Sequence, residues 1–236
     1  MTARDVRAPG LAALAALMAD ETRAVCLLAL LDGRAWTAGE LARQAGVAAS
    51  TLSEHLGKLV AGGLLAEERQ GRHRYVRLAD ARVAQLLEDL AAQVDPSGVA
   101  WPRGLREASA GSAMARGRTC YDHLAGRLGI AVTDALTERG ALRQDTGFAL
   151  TDAGVAWFEA AGIALDRRTR RPLARACLDW TERRPHLAGV AGAALCRHVL
   201  DAGWCVRIGS ERAVRVTAEG ERALSGLLGI EAGALR

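Results

Sequence analysis

The segment from Thr37 to Leu59 constrains the fold most. Thr37-Ala-Gly-Glu40 sets a threonine and a glutamate three residues apart, the pattern of a capping box that opens a helix. Gly46 stops that helix after two turns. A second helix starts near Ala48, and Leu52, Leu56 and Leu59 recur along it at i, i+4 and i+7. Apolar residues at that spacing line one helical face. Two short helices joined by a tight glycine turn make a helix-turn-helix. The flanks extend it. Leu11, Leu14, Leu17 and Met18 share a face of a first helix. Asp20 caps the next, with Val25, Leu28 and Leu31 inward and Gly33 as its stop. Gly62-Gly63 ends the leucine helix. Leu64–Glu68 and Arg74–Leu78 flank a turn at Gln70-Gly71 and predict a β-hairpin. Asp80 then opens a last helix with Val83, Leu86, Leu87 and Leu90 apolar. Helix, helix, turn, helix and hairpin make a winged helix-turn-helix.

The chain has 236 residues, half of them hydrophobic and a quarter charged, a composition that excludes wholesale disorder. DPSGVAWPRG at 95–104 holds two prolines among small and polar residues and reads as a linker. It separates an N-terminal unit over residues 1–94 from a C-terminal unit over 105–236. No apolar run approaches the roughly 20 residues of a spanning helix, so the expected location is cytoplasmic, with no membrane partner. Five cysteines at irregular spacing do not form a disulfide framework. Net charge is zero over 1–94 and +4 over the remainder, so local clusters must carry any nucleic-acid argument.

Ala19-Asp-Glu-Thr-Arg23, Glu40-Leu-Ala-Arg-Gln-Ala-Gly-Val47, Ser50-Thr-Leu-Ser-Glu-His-Leu56 with Leu59, Ala61-Gly-Gly-Leu-Leu65 and Gly71-Arg-His-Arg-Tyr75 stand in this order. Together they resemble the arsenic-repressor (ArsR) family of bacterial transcriptional regulators, over about 40% of the chain. The resemblance implies a homodimer, held by its first and last helices, on double-stranded operator DNA. It also implies DNA contact at Ser50, Thr51, Ser53 and His55. A recognition helix reads base edges with short polar side chains, and this one also offers Glu54 and Lys58, with Arg43 and Gln44 ending the helix before it. Arg69, Arg72, His73 and Arg74 make the wing tip cationic and suited to phosphate, partly offset by Glu67 and Glu68. Two metal sites common in the family do not transfer: the third helix has no cysteine and the last no histidine.

The C-terminal half repeats itself. His123-Leu-Ala-Gly126 recurs as His186-Leu-Ala-Gly189, Gly129 as Gly192, Gly140 as Gly203, and Thr151-Asp-Ala-Gly154 as Thr217-Ala-Glu-Gly220. Each copy, about 123–165 and 186–230, reads as a helix opening on histidine, a glycine stop, a hairpin and a threonine-capped helix. The fold class is therefore mainly α with small β-hairpins (α+β): a winged helix-turn-helix plus two winged-helix-like repeats. The repeats lack a polar reading helix and have the character of packing modules.

An effector is expected in this half, as a metal ion or a small molecule; the cofactor stays unassigned. Cys120 and His123, read as i and i+3 on a helix, could donate two soft or borderline ligands, with Cys177 and His186 as two more. The cysteines do not align in the repeat, because position 120 matches Arg183. A redox-active thiol is a second reading, with Arg116, Arg118 and His123 lowering the Cys120 pKa. A pocket lined by Tyr121, Trp157, Phe158, Trp180 and Trp204 is a third, and a purely structural domain a fourth. Arg167–Arg171 reads as a solvated basic loop. The half carries no phosphate-cradling GxxxxGK[ST] loop and no GxSxG elbow, so no enzyme is expected. A repressor released by an effector is the overall expectation.

Overall fold

The computed structural model describes residues 5–70, 73–94, 112–145, 147–209, 212–231 and 233. The chain divides into two compact units, Met1–Leu87 and Glu88–Arg236. The division falls inside a helix, and the linker expected at 95–104 lies outside the described residues.

The first unit contains helices α1 (Ala8–Met18), α2 (Glu21–Ala29), α3 (Ala38–Ala45), α4 (Ala49–Ala61) and the start of α5 (Ala81–Ala91). Its strands are β1 (Trp36–Thr37), β2 (Leu65–Gln70) and β3 (His73–Leu78), an antiparallel sheet in the order β1-β3-β2. The sequence signals act where they stand. The Asp20 side chain accepts from the Arg23 N–H, and the Thr37–Glu40 capping box is complete in both directions. Gly33 and Gly46 take left-handed backbone at φ 77° and 66°, which lets the chain reverse after each helix. Leu52, Leu56 and Leu59 are sealed against Leu27, Leu31, Leu41 and Val76. Removing each such leucine from water contributes about 1.5–3 kcal/mol. The hairpin is longer than the sequence reading expects, its ladder reaching Gln70 opposite His73, and β3 also pairs with β1, Trp36 opposite Val76.

The second unit runs β4 (Arg118–Cys120), β5 (His123–Ala125), α6 (Gly126–Glu138), β6 (Leu142–Arg143), β7 (Ala149–Leu150) and α7 (Asp152–Ala160). The order then repeats as β8 (Arg175–Leu178), β9 (Pro185–Ala188), α8 (Gly189–Asp201), β10 (Cys205–Arg207), β11 (Val214–Val216) and α9 (Ala218–Leu228). Each copy thus opens on a hairpin that the sequence reading omitted. His123 and His186 lie on strands β5 and β9, not at helix starts. The helices begin only at Gly126 and Gly189, whose positive φ of 71° and 87° turns strand into helix. The later glycine stops and threonine caps stand where the repeat places them, with Thr151 and Thr217 accepting from the Gly154 and Gly220 N–H groups.

The copies interlock: α6 packs on β9 and α8 on β5. A Cβ at Gly129 would sit 2.5 Å from the Leu124 carbonyl and 3.7 Å from the His186 Cβ. One at Gly192 would sit 2.4 Å from the Leu187 carbonyl and 3.1 Å from the His123 Cβ. Each glycine therefore lets its helix close onto its own copy's strand and seats the histidine of the other copy.

Gly220 is equally tight, since a Cβ there would lie 2.0 Å from the Trp204 carbonyl, whereas Gly57 on α4 faces open space. Gly220→Ala is expected to lower stability by about 1–3 kcal/mol or more through overpacking against backbone. Gly57→Ala should raise it by roughly 0.5–1 kcal/mol through helix propensity. Urea denaturation followed by circular dichroism reads both; equal effects would show that the Trp204 contact does not constrain position 220.

Candidate functional site

On α4, Ser50, Thr51, Ser53, Glu54 and Lys58 are exposed, while Leu52, Leu56 and Leu59 fill the core beneath. The leucine spacing thus orients the helix and leaves its polar side chains to solvent. The Ser53 hydroxyl donates to the Ala49 carbonyl. His55 is turned inward: its Nδ1 lies 3.3 Å from Asp20 Oδ1 and 3.4 Å from Arg23 Nη1, beside α2. Gln44 is half-buried at the end of α3. On the wing, Arg69 stands opposite Arg74, both exposed, and Arg74 pairs with Glu67. Arg72 and the His73 side chain lie outside the described residues. On α1, no residue is fully buried and Leu11 is 69% exposed, so its apolar face is only partly covered within this unit.

In the second unit the structure brings Cys120, His123, Cys177 and His186 together. One donor atom from each lies within 4.8 Å of the other three, and all four residues are buried. The sulfurs are 3.9 Å apart, and the histidine ring centroids 5.1 Å. The local basis differs from the i, i+3 helical spacing read from sequence. Cys120 stands opposite His123 across the β4–β5 ladder, and Cys177 opposite His186 across β8–β9. The cysteines are equivalent after all. They are 57 residues apart and the histidines 63, because the eight residues 178–185, an extra strand pair (Leu178 with Pro185) and the loop 179–184, stand where the first copy has only Tyr121-Asp122. That difference of six is the signal in the sequence, and it shows only when the repeat is aligned with a gap.

Both histidines meet a carboxylate at Nδ1. His123 Nδ1 lies 3.2 Å from Asp122 Oδ1, and Asp122 is paired with Arg171. His186 Nδ1 lies 3.3 Å from Asp179 Oδ2, too poorly aligned for a hydrogen bond. The Nε2 atom of each ring is buried without a hydrogen-bond partner. Burial works against both carboxylates, but the groups around them hold them well below the ordinary carboxylate range. For Asp122 these are Arg171 and His123; for Asp179 they are His186, Arg118 and the Gly126 N–H. Burial also opposes a protonated His186, and Asp179 and Cys177 outweigh it, so its pKa is raised.

The two thiols differ. Cys120 is pushed well up, by its contact with Cys177, by burial, and by the Glu88 carboxylate to which it donates. The sequence expectation of a lowered Cys120 pKa is thus reversed: Arg118 is engaged by two carboxylates, and Glu88 takes the place beside the sulfur. Cys177 is shifted the other way, its pKa lowered by Cys120 first and then, against burial, by the two imidazoles.

Beneath the cluster lies a wholly buried Arg118. Its Nε lies 3.2 Å from Glu88 Oε1 and its Nη2 3.0 Å from Asp179 Oδ1. Its Nη1 donates to the Met114 carbonyl and the Thr181 hydroxyl, and Trp180 stacks 5.2 Å away. Glu88 further accepts from Arg212 and Trp180 Nε1. Of this support, sequence reasoning names Arg118, as a charge near Cys120, and Trp180, as the wall of a pocket. It placed the basic run 167–171 in solvent, where Arg171 proves to bind Asp122. The expected aromatic pocket is absent among the described residues. Phe158 is core, Trp157 donates to the Leu227 carbonyl, Trp204 packs on His198, and Tyr121 is exposed.

Removing one partner of a buried ion pair leaves the others charged and dry. Arg118→Met is therefore expected to cost about 3–5 kcal/mol, read by urea denaturation. A loss below about 1 kcal/mol would mean that Arg212 alone neutralises Glu88 and that Asp179 relies on its N–H donors.

A helix-turn-helix domain family matches residues 18–68. The chain is 40% identical over 226 residues to the uncharacterized HTH-type transcriptional regulator YdfF of Bacillus subtilis (strain 168), covering 94% of this chain and 99% of that protein. It is 38% identical over 86 residues to the HTH-type transcriptional regulator CmtR of Mycobacterium tuberculosis, 36% of this chain and 72% of that one. The solved structure of CmtR, a cadmium metal-sensor, covers 39% of this chain and 99% of its own at a TM-score of 0.32 and 36% identity. The homodimeric winged helix-turn-helix DNA-binding domain of Mb0332 from Mycobacterium bovis, described as a possible ArsR-family regulator, aligns at 28% identity. Its TM-score is 0.32, over 37% of this chain and 83% of that one. With its winged first unit and near full-length likeness to YdfF, the chain belongs to the HTH-type transcriptional regulators.

Proposed function

We propose that the protein is a homodimeric repressor that binds operator DNA through α4 and the β2–β3 wing and releases it when the second unit binds an effector. The observation that carries DNA reading is the surface of α4. Ser50, Thr51, Ser53 and Lys58 stand exposed on a helix whose opposite face is locked by three buried leucines, as major-groove insertion requires. His55, held between Asp20 and Arg23, orients the helix in this reading rather than reaching for a base. The wing supplies Arg69, with Arg72 and His73 as further phosphate contacts. The proposed domain organisation is a DNA-binding and dimerisation domain over 1–94, a linker over 95–104 and a regulatory domain over 105–236.

Dimerisation is supported by α1, which carries Leu11 exposed and Leu14 and Leu17 only partly covered. One reading head spans a few base pairs, so tight binding needs two heads on a palindrome. The effector acts by linkage: a ligand that binds the DNA-incompetent form better lowers operator affinity by its differential affinity.

Operators selected by the protein from random-sequence DNA permit the test by fluorescence anisotropy. Thr51→Ala with Ser53→Ala is expected to weaken binding by about 1–3 kcal/mol for each side chain that hydrogen-bonds a base edge. Unchanged affinity would remove α4 as the reading helix. Leu11→Glu should shift the protein toward monomer in light scattering and weaken operator binding with it; an intact dimer would move the interface off α1.

A further inference from the structure

We propose that Cys120, His123, Cys177 and His186 form a tetrahedral site for a divalent, thiophilic metal ion of the zinc class, one cysteine and one histidine coming from each repeat. That this ion is also the effector rests on the reading of the protein as an operator-binding repressor; the site itself does not.

The dimensions fit. With metal–sulfur bonds near 2.3 Å and metal–nitrogen bonds near 2.0–2.1 Å, the edges of such a tetrahedron run about 3.4–3.8 Å. The sulfurs already stand 3.9 Å apart, and no donor pair exceeds 4.8 Å. Closing onto an ion takes side-chain adjustment of about an ångström. The donors present themselves as ligands: both Nε2 atoms are buried without a hydrogen bond, and each Nδ1 faces a carboxylate. A carboxylate behind the ring, fixing its tautomer and raising its basicity, is the outer support that metal-bound histidines regularly have.

Charge selects the ion. Arg171 answers Asp122, and Arg118 answers Asp179. The surrounding carboxylates thus leave no charge for an ion to neutralise. Two thiolates and two neutral imidazoles carry −2, which a dication cancels; a monovalent ion would leave a net charge in a dry site, which is costly. The absence of oxygen donors from the four-residue set disfavours magnesium and calcium. Binding is proton-balanced. The cluster's two protons, whether held on sulfur or on an imidazole, pass to solvent as two metal–sulfur and two metal–nitrogen bonds form. The Glu88 carboxylate then gives up the hydrogen bond it accepts from the Cys120 thiol.

The test uses the full chain, reduced and freed of metal by chelation, titrated with cobalt(II) and then zinc(II). The expected result is one cobalt per chain, with sulfur-to-cobalt charge-transfer absorption and visible bands of tetrahedral intensity, displaced stoichiometrically by zinc. Cys177→Ser should lose part of the charge-transfer band. Asp122→Asn should bind about ten- to a hundredfold more weakly with the same spectrum. No uptake by the wild-type chain, or a weak six-coordinate spectrum, overturns the site whether or not any variant folds. Operator anisotropy with and without one equivalent of zinc is the separate arm. Weakened operator binding on zinc addition, abolished in Cys177→Ser, supports the effector role. Metal uptake with unchanged operator affinity overturns that role and leaves the site. A protein that binds metal but selects no operator refutes the DNA-binding reading alone.

Discussion

A single buried carboxylate, Asp179, ties the two repeats of the second unit together. From its place after β8 it accepts from the N–H of Gly126, at the start of α6 in the other repeat, and from the Thr181 and Glu182 N–H groups in its own loop. It also neutralises Arg118 and stands behind His186. Burying that charge is unfavourable unless each lone pair is met, and here donors from two repeats meet them. The carboxylate therefore does three things from one position: it caps α6, shapes the 179–184 loop, and sets the imidazole of β9. Arg118 extends the same network to Glu88 and so to the Cys120 thiol.

How much of this is legible in the sequence depends on the range of the interaction. Local backbone signals are clear. Thr37, Asp20, Thr151 and Thr217 cap the helices they are expected to cap, and Gly33 and Gly46 turn the chain where expected, because each depends on neighbours within a few residues. The leucine period of α4 reveals its buried face for the same reason. The short hairpins β4–β5 and β8–β9 are not visible. Three or four residues per strand hold too little alternation to distinguish from a helix start, and their stability comes from the helices laid across them. The four members of the cluster stand out by residue type, but through a wrong geometry: an i, i+3 helical pair where the fold uses cross-strand pairs. Their outer partners are largely invisible, since Glu88–Arg118, Arg118–Asp179 and Asp122–Arg171 join residues 30, 61 and 49 apart. Charge pairing at such distances leaves no periodic trace in a single sequence.

The glycine repeat proves more informative than its composition suggests. Gly129 and Gly192 look like ordinary weak points in helices, where glycine costs roughly 1 kcal/mol against alanine. Their importance lies in close approach. Each lets its helix come so near its own strand that a methyl group would meet a carbonyl, and each faces the histidine of the opposite copy. The exchange of α6 onto β9 and α8 onto β5 follows. Neither copy alone would bury its histidine, so the cluster is a property of the pair of repeats.

Within that near-symmetry the two thiols are made unequal by their turns. The two-residue turn at Tyr121-Asp122, with Tyr121 in left-handed backbone at φ 56°, gives β5 a carboxylate that Arg171 must answer from the loop before β8. The longer 179–184 loop folds back on Asp179, and with Arg183 at φ 58° it places Trp180 against Glu88 and Arg118. Glu88 then accepts a hydrogen bond from the Cys120 thiol. Cys177, burial and Glu88 consequently push the Cys120 thiol up, while Cys120 and the two imidazoles draw Cys177 down against burial. A near-symmetric backbone thus gives its two sulfurs unlike electrostatic surroundings, because each outer charge, Glu88, Asp122 and Asp179, is answered by an arginine and only the turns differ.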